Sequence, residues 1–137
     1  MNRVSDWAGK LGAFLSERQF DAFHYGRWDC CLFVCDAICT MTGVDPAARF
    51  RGAYASAREA RRMMRAAGAG SLAAMVEAIT SEHSMPEVPV RYAQRGDVAL
   101  IGCTLGLVAL NGRDVVVPSS RGLWRVPMAR AVRAWRV

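Results

Sequence analysis

The sequence predicts an α+β fold, with helices first and an antiparallel meander or small barrel after them. Three observations carry this expectation. Apolar residues recur at helical spacing up to about Ser81. The stretch after Pro86 alternates at strand spacing. Turn and cap residues punctuate both halves at the right places. At 137 residues the chain suffices for one core but not two, so residues 1–137 read as a single domain. It shows no repeat, low-complexity segment or dividing linker.

Ser5 is placed to cap a first helix, whose apolar face carries Trp7, Leu11, Phe14 and Leu15. Phe20 to Trp28 is an aromatic-rich connection containing Gly26. Asp29 then stands as N-cap or first-turn residue of a second helix through Leu32, Phe33, Val34, Ile38 and Met41, with Gly43 as its C-cap. This helix is apolar nearly all round, the mark of a central, buried element. Asp45-Pro46 starts a turn or short helix ending near Gly52. Ser56 caps a basic helix, Ala57 to Ala67, closed by Gly68, and Ser71 caps another from Leu72 to about Ser81. Val88, Val90 and Tyr92 alternate as in a strand. A turn at Arg95-Gly96-Asp97 leads to the runs Val98–Ile101 and Leu105–Leu110. Asn111-Gly112 is a hairpin signal answered by Val115–Val117. Leu123–Val126 alternates, and Ala131–Val137 closes the sheet with Val132, Ala134 and Trp135 packed.

The composition narrows the function classes. The apolar fraction is 53%, yet no apolar run reaches the roughly 18–20 residues of a membrane helix. The first residues lead into an amphipathic pattern rather than a signal-peptide core, so the chain reads as soluble and not secreted. Of five cysteines, four crowd into Cys30–Cys39 and one stands apart at Cys103, which is no disulfide framework. Cys31, Cys35 and Cys39 recur every four residues along one helical face. No Cys-x-x-Cys pair occurs, so packed thiols are favoured over a metal site, and no cofactor is implied. The net charge is +6, and every basic residue but Lys10 is arginine. The arginines are dispersed, which favours protein contacts over nucleic acid. Arg58, Arg61, Arg62 and Arg65 form a basic helix facing water or a partner, and Arg58, Arg61 and Arg65 share a face. Trp124 and Trp135 read as core or as interface anchors.

Cys30 is the candidate nucleophile. At a helix start it faces unpaired N–H groups and the positive helix end, which favour thiolate. The plain alternative is a small residue of the core. A hydrolase also needs a base and an acid. The histidines are His24, in the loop before Cys30 and the candidate base, and His83, in a polar tail after a helix. Each also reads as an exposed or partly satisfied imidazole. Asp29 reads as a cap and Asp97 as a turn residue.

The segment Tyr25-Gly26 then Asp29-Cys30-Cys31-Leu32-Phe33-Val34, followed by Gly96-Asp97-Val98-Ala99-Leu100 and Thr104-Leu105-Gly106-Leu107-Val108, resembles the NlpC-type branch of papain-like cysteine peptidases. Cys31 and Leu32 replace the branch's Ser and Gly. Thr104 stands where the branch carries its catalytic histidine. A closer resemblance, over nearly the whole chain, is to small phage-encoded NlpC-like proteins. It rests on Gly26–Phe33, Thr42–Pro46, Arg51–Tyr54 and Ala134–Arg136. It implies a papain-like domain in the tail tip or baseplate of a phage, prophage or gene-transfer particle. The chain would be made in the bacterial cytoplasm and placed in the virion, with other tail-tip or baseplate hub proteins as partners. Two roles follow from it. One is a binding component whose catalysis is weak or lost. The other is an active cysteine hydrolase of peptidoglycan peptides, with Cys30 as nucleophile and His24 as an unconventional base.

Overall fold

A computed structural model describes residues 1–137. Four helices come first: α1 Trp7–Arg18, α2 Cys30–Thr42, α3 Ala57–Ala66 and α4 Leu72–Glu82. Six strands follow: β1 Glu87–Val88, β2 Val98–Ile101, β3 Thr104–Val108, β4 Asp114–Ser119, β5 Gly122–Pro127 and β6 Arg133–Trp135. All pair antiparallel in the order β1-β6-β2-β3-β4-β5. β2 to β5 form the expected meander, and β6 returns to lie beside β2. The sheet is open rather than a closed barrel, because β1 and β5 end the order and do not pair.

The caps explain the helix bounds. The Asp29 carboxylate accepts the Leu32 N–H at 2.9 Å, and Gly43 at φ 80° returns its N–H to the Cys39 carbonyl. Ser56 and Ser71 accept from the backbone N–H groups of Glu59 and Ala74, both at 3.1 Å. Ser5 is not a cap. The Val4 N–H is tied to the Met41 carbonyl at 2.8 Å, the chain turns through Ser5-Asp6, and α1 starts at Trp7 with Asp6 in the cap position, its side chain making no cap bond.

Two strand expectations fail for local reasons. Beyond Glu87–Val88 the chain leaves the sheet at Pro89, which has no N–H to donate. Val90–Tyr92 is a 3₁₀ turn, with the Tyr92 N–H on the Pro89 carbonyl at 2.8 Å. Val132 is 63% exposed. Its N–H reaches the Leu100 carbonyl at 2.8 Å, but its side chain lies outside the packing that buries Ala134 and Trp135.

A core of 17 buried residues joins α1, α2 and α4 to one sheet face, with Leu11, Phe33, Ile38, Leu107 and Trp135 among them. The other face carries a smaller core of Ala99, Val108, Val115 and Val117, with Val126, Met128 and Ala131 folded onto it. α3 buries no residue completely.

Asp97 does more than the turn work expected of it. It is fully buried. Its carboxylate accepts from Arg3 at 2.7 Å, from Arg136 Nε at 2.8 Å, and from the backbone N–H groups of Gln94 at 2.8 Å and Val137 at 3.3 Å. One carboxylate therefore ties the segment before α1 to the segment after β6.

Candidate functional site

The start of α2 opens onto a cavity of about 390 Å³. α2 supplies Cys30, Cys31 and Leu32 to its wall. α3 supplies Ala60, Arg61 and Met63, α4 supplies Met75 and Ile79, the β2–β3 turn supplies Cys103, and the start of β3 supplies Thr104. α3 borders this space with no fully buried residue, its Met63 and Met64 packed only in part against the small neighbouring cores.

Asp29 sets the position of Cys30. It is buried, and its carboxylate accepts the Gly26 N–H at 3.0 Å and the Leu32 N–H at 2.9 Å, and also the Tyr54 hydroxyl. Burial, and then this bond to Asp29, push the Tyr54 hydroxyl well above the ordinary tyrosine range. With those donors in place, Asp29 is a structural cap and not a free acid or base. The close turn before it requires Gly26 at φ 81°, where a Cβ would stand 2.0 Å from the Tyr54 carbonyl oxygen.

The cysteines at the helix start are unequal. The thiol of Cys30 is held below its ordinary value, first by the hydrogen bond from the Cys31 thiol and then by the backbone N–H groups of Leu105 and Cys31, against the opposing effects of burial and Asp29. Cys31 is pushed well above its ordinary value by donating that bond and by burial. Burial, then the Asp45 carboxylate, raise Cys35 to about 12. Of these thiols, Cys30 ionises first. Cys39 is half-buried further along α2, and Cys103 is exposed at the cavity edge. No three His, Cys, Asp or Glu side chains gather into a metal-binding group.

Neither histidine lines this cavity. The backbone of His24 pairs with Trp28 in both directions, at 3.0 and 2.8 Å, and its exposed ring sits with Nδ1 3.0 Å from the Tyr25 carbonyl oxygen. His83 follows α4 as its C-cap, on the side of Asp45. Thr104 does line the cavity, at the start of β3 and one residue before Leu105. The site can therefore form a thiolate. It offers that thiolate no imidazole; of the two tyrosines that line it, Tyr54 has its hydroxyl committed to Asp29 and Tyr25 stands exposed.

Arg58, Arg61, Arg62 and Arg65 are exposed and line a polar hollow by themselves, and Arg61 also borders the Cys30 cavity. Trp135 is core, whereas Trp124 on the edge strand β5 is 57% exposed. Sequence reasoning gave Tyr54 no role. Its signal was the Arg51–Tyr54 segment, where the tyrosine follows a glycine turn and returns to the α2 cap. The apolar wall contributed by Met63 and Met75 was also missed, because both fit ordinary helix faces.

The family described as a domain of unknown function, DUF6950, matches residues 2–137, and the chain belongs to it. No curated protein and no solved structure matches the chain.

Proposed function

We propose that this DUF6950 member is a tail-tip or baseplate component of a phage, prophage or gene-transfer particle, built on an NlpC-like papain-type body. It acts mainly by binding other tail proteins, with peptide cleavage weak or lost. The placement in a tail rests on the resemblance of Gly26–Phe33, Thr42–Pro46, Arg51–Tyr54 and Ala134–Arg136 to phage-encoded proteins. The loss of cleavage rests on one observation: the cavity around Cys30 contains Thr104 and no histidine. A thiolate can attack a carbonyl, but expulsion of an amine needs a proton donor. Threonine is not an acid near neutral pH, and Tyr54 holds its proton against Asp29.

The contacts of such a component fall on what the fold leaves exposed. Arg58, Arg62 and Arg65 do not line the cavity and match an acidic protein surface, with Arg61 between them and the cavity. Trp124 on the β5 edge supplies an aromatic anchor. The place of Cys30 as first residue of α2, where helix N–H groups favour a thiolate, supports the hydrolase reading, and the resemblance supplies peptidoglycan as its substrate.

Two measurements separate the readings. Purified particles should contain the chain, and Cys30→Ala should still assemble and infect. Purified peptidoglycan should release no soluble peptide with the wild-type chain. Release by wild type that Cys30→Ser abolishes establishes the hydrolase instead. Thr104→His restores the imidazole at the position the resemblance assigns to it, and any cleavage it gains should vanish again in the Thr104→His, Cys30→Ser double variant.

A further inference from the structure

The cavity beside Cys30 is chemically one-sided. Of its 21 lining residues 17 are hydrophobic, which is a poor match for a polar cell-wall peptide. Its volume of about 390 Å³ falls in the range of small-molecule sites, roughly 300–1,000 Å³. The wall that closes it is α3, a helix with no fully buried residue whose Ala60 and Met63 are only half covered by the small core of Leu32, Cys35, Ala47 and Tyr54. Met63 and Met75 are unbranched thioethers that adapt to a flexible chain.

Two charged side chains line this space. Asp29 is consumed by the donors Gly26, Leu32 and Tyr54. Arg61 makes no ion pair and no side-chain hydrogen bond, and stands exposed where the cavity meets the other arginines of α3. An apolar space whose one free charge is a guanidinium is complementary to an apolar chain ending in an anion. Arg58, Arg62 and Arg65 extend the positive potential outward and disfavour a cationic head.

We propose that this cavity binds a single-chain anionic amphiphile, with the chain against Leu32, Met63, Met75 and Ile79 and the carboxylate or phosphate head on Arg61. The site does not depend on the protein-contact role or on the reactivity of Cys30. The head has two sources, a free fatty carboxylate or a lysophospholipid, and they share the same recognition.

The test is a fluorescence titration of the full chain with cis-parinarate, a fluorescent fatty carboxylate, followed by displacement with palmitate, lysophosphatidate and hexadecanol. Saturable binding is expected. The stronger of palmitate and lysophosphatidate identifies the head group. Hexadecanol should compete about tenfold less well, the worth of a charge-assisted contact at a partly exposed site. Arg61→Gln should weaken palmitate by a similar factor and remove its advantage over hexadecanol, while Arg65→Gln leaves it in place. Ala60→Trp fills the cavity and should abolish binding with the helical circular dichroism retained. Ala57→Trp, at the first turn of α3, serves if that variant does not fold. Absence of saturable binding overturns the proposal. So do equal competition by hexadecanol and unchanged binding in the filled variant. Association with anionic vesicles alone, insensitive to the filling variant, overturns it in favour of a membrane-surface contact.

Discussion

Cys30 and Tyr54 decide the chemistry of the site, each through a neighbour. The Cys31 thiol and the Leu105 N–H lower the Cys30 pKa, and the same exchange raises that of Cys31. Iodoacetamide labelling mapped by peptide mass spectrometry should therefore give Cys30 a pH midpoint below 9.0. Cys31 and Cys35 should stay unlabelled there, the latter because it titrates only at about 12. Labelling of Cys31 ahead of Cys30 would overturn this order. Tyr54→Phe removes one donor from buried Asp29 and should cost on the order of 1–3 kcal/mol in urea unfolding. Its pH dependence has a definite sign. The folded-state pKa of Tyr54 is raised, so its contribution is complete below the unfolded value of about 10 and shrinks as pH rises beyond it. The stability gap between wild type and Tyr54→Phe should narrow progressively as pH rises above ~10. Cys30 and its cap Asp29 were legible in the sequence because a cap is local. Tyr54 was not, because its bond to Asp29 is visible only once the intervening turns have folded.

At the scale of elements, the short-range signals worked where backbone bonding is local and failed where it is not. Ser56, Ser71, Asp29 and Gly43 bound their helices as expected. Asn111-Gly112 makes its turn, with the Asn111 side chain accepting from the Arg113 N–H at 2.9 Å and Gly112 at φ 70°. The alternation at Val88, Val90 and Tyr92 misled, because Pro89 ends the pairing that alternation presumes. Ser5 misled because a long-range bond from Val4 to Met41 sets where the chain can turn. Two glycines separate strain from collision. Gly26 and Gly43 sit at φ 81° and 80°, but an added Cβ meets the Tyr54 carbonyl oxygen at 2.0 Å in the first and nothing within 4 Å in the second. Gly43→Ala should lose about 1 kcal/mol from the left-handed backbone alone. Gly26→Ala should lose at least about 2 kcal/mol more by thermal unfolding, since backbone must move to admit it.

Over the whole molecule, one buried carboxylate links chain ends that are distant in sequence. Asp97→Ala leaves the Arg3 and Arg136 guanidinium groups without their shared acceptor and should cost about 3 kcal/mol or more in denaturant unfolding. Arg3→Ala and Arg136→Ala share that acceptor, so a double-mutant cycle should show non-additivity above about 0.5 kcal/mol. A purely additive result would mean that Asp97 serves only its own turn. Local signals along the chain were enough to read the α+β class, the order of helices and strands, the buried central helix and the cysteine at its start. Each of these depends on spacing and caps within a few residues. The tertiary structure alone decided that the sheet stays open, that Asp97 joins both ends of the chain, that His24 turns toward its own loop, and that an apolar cavity opens beside Cys30. These depend on which distant surfaces meet, and spacing along the chain carries no information about the space left between them.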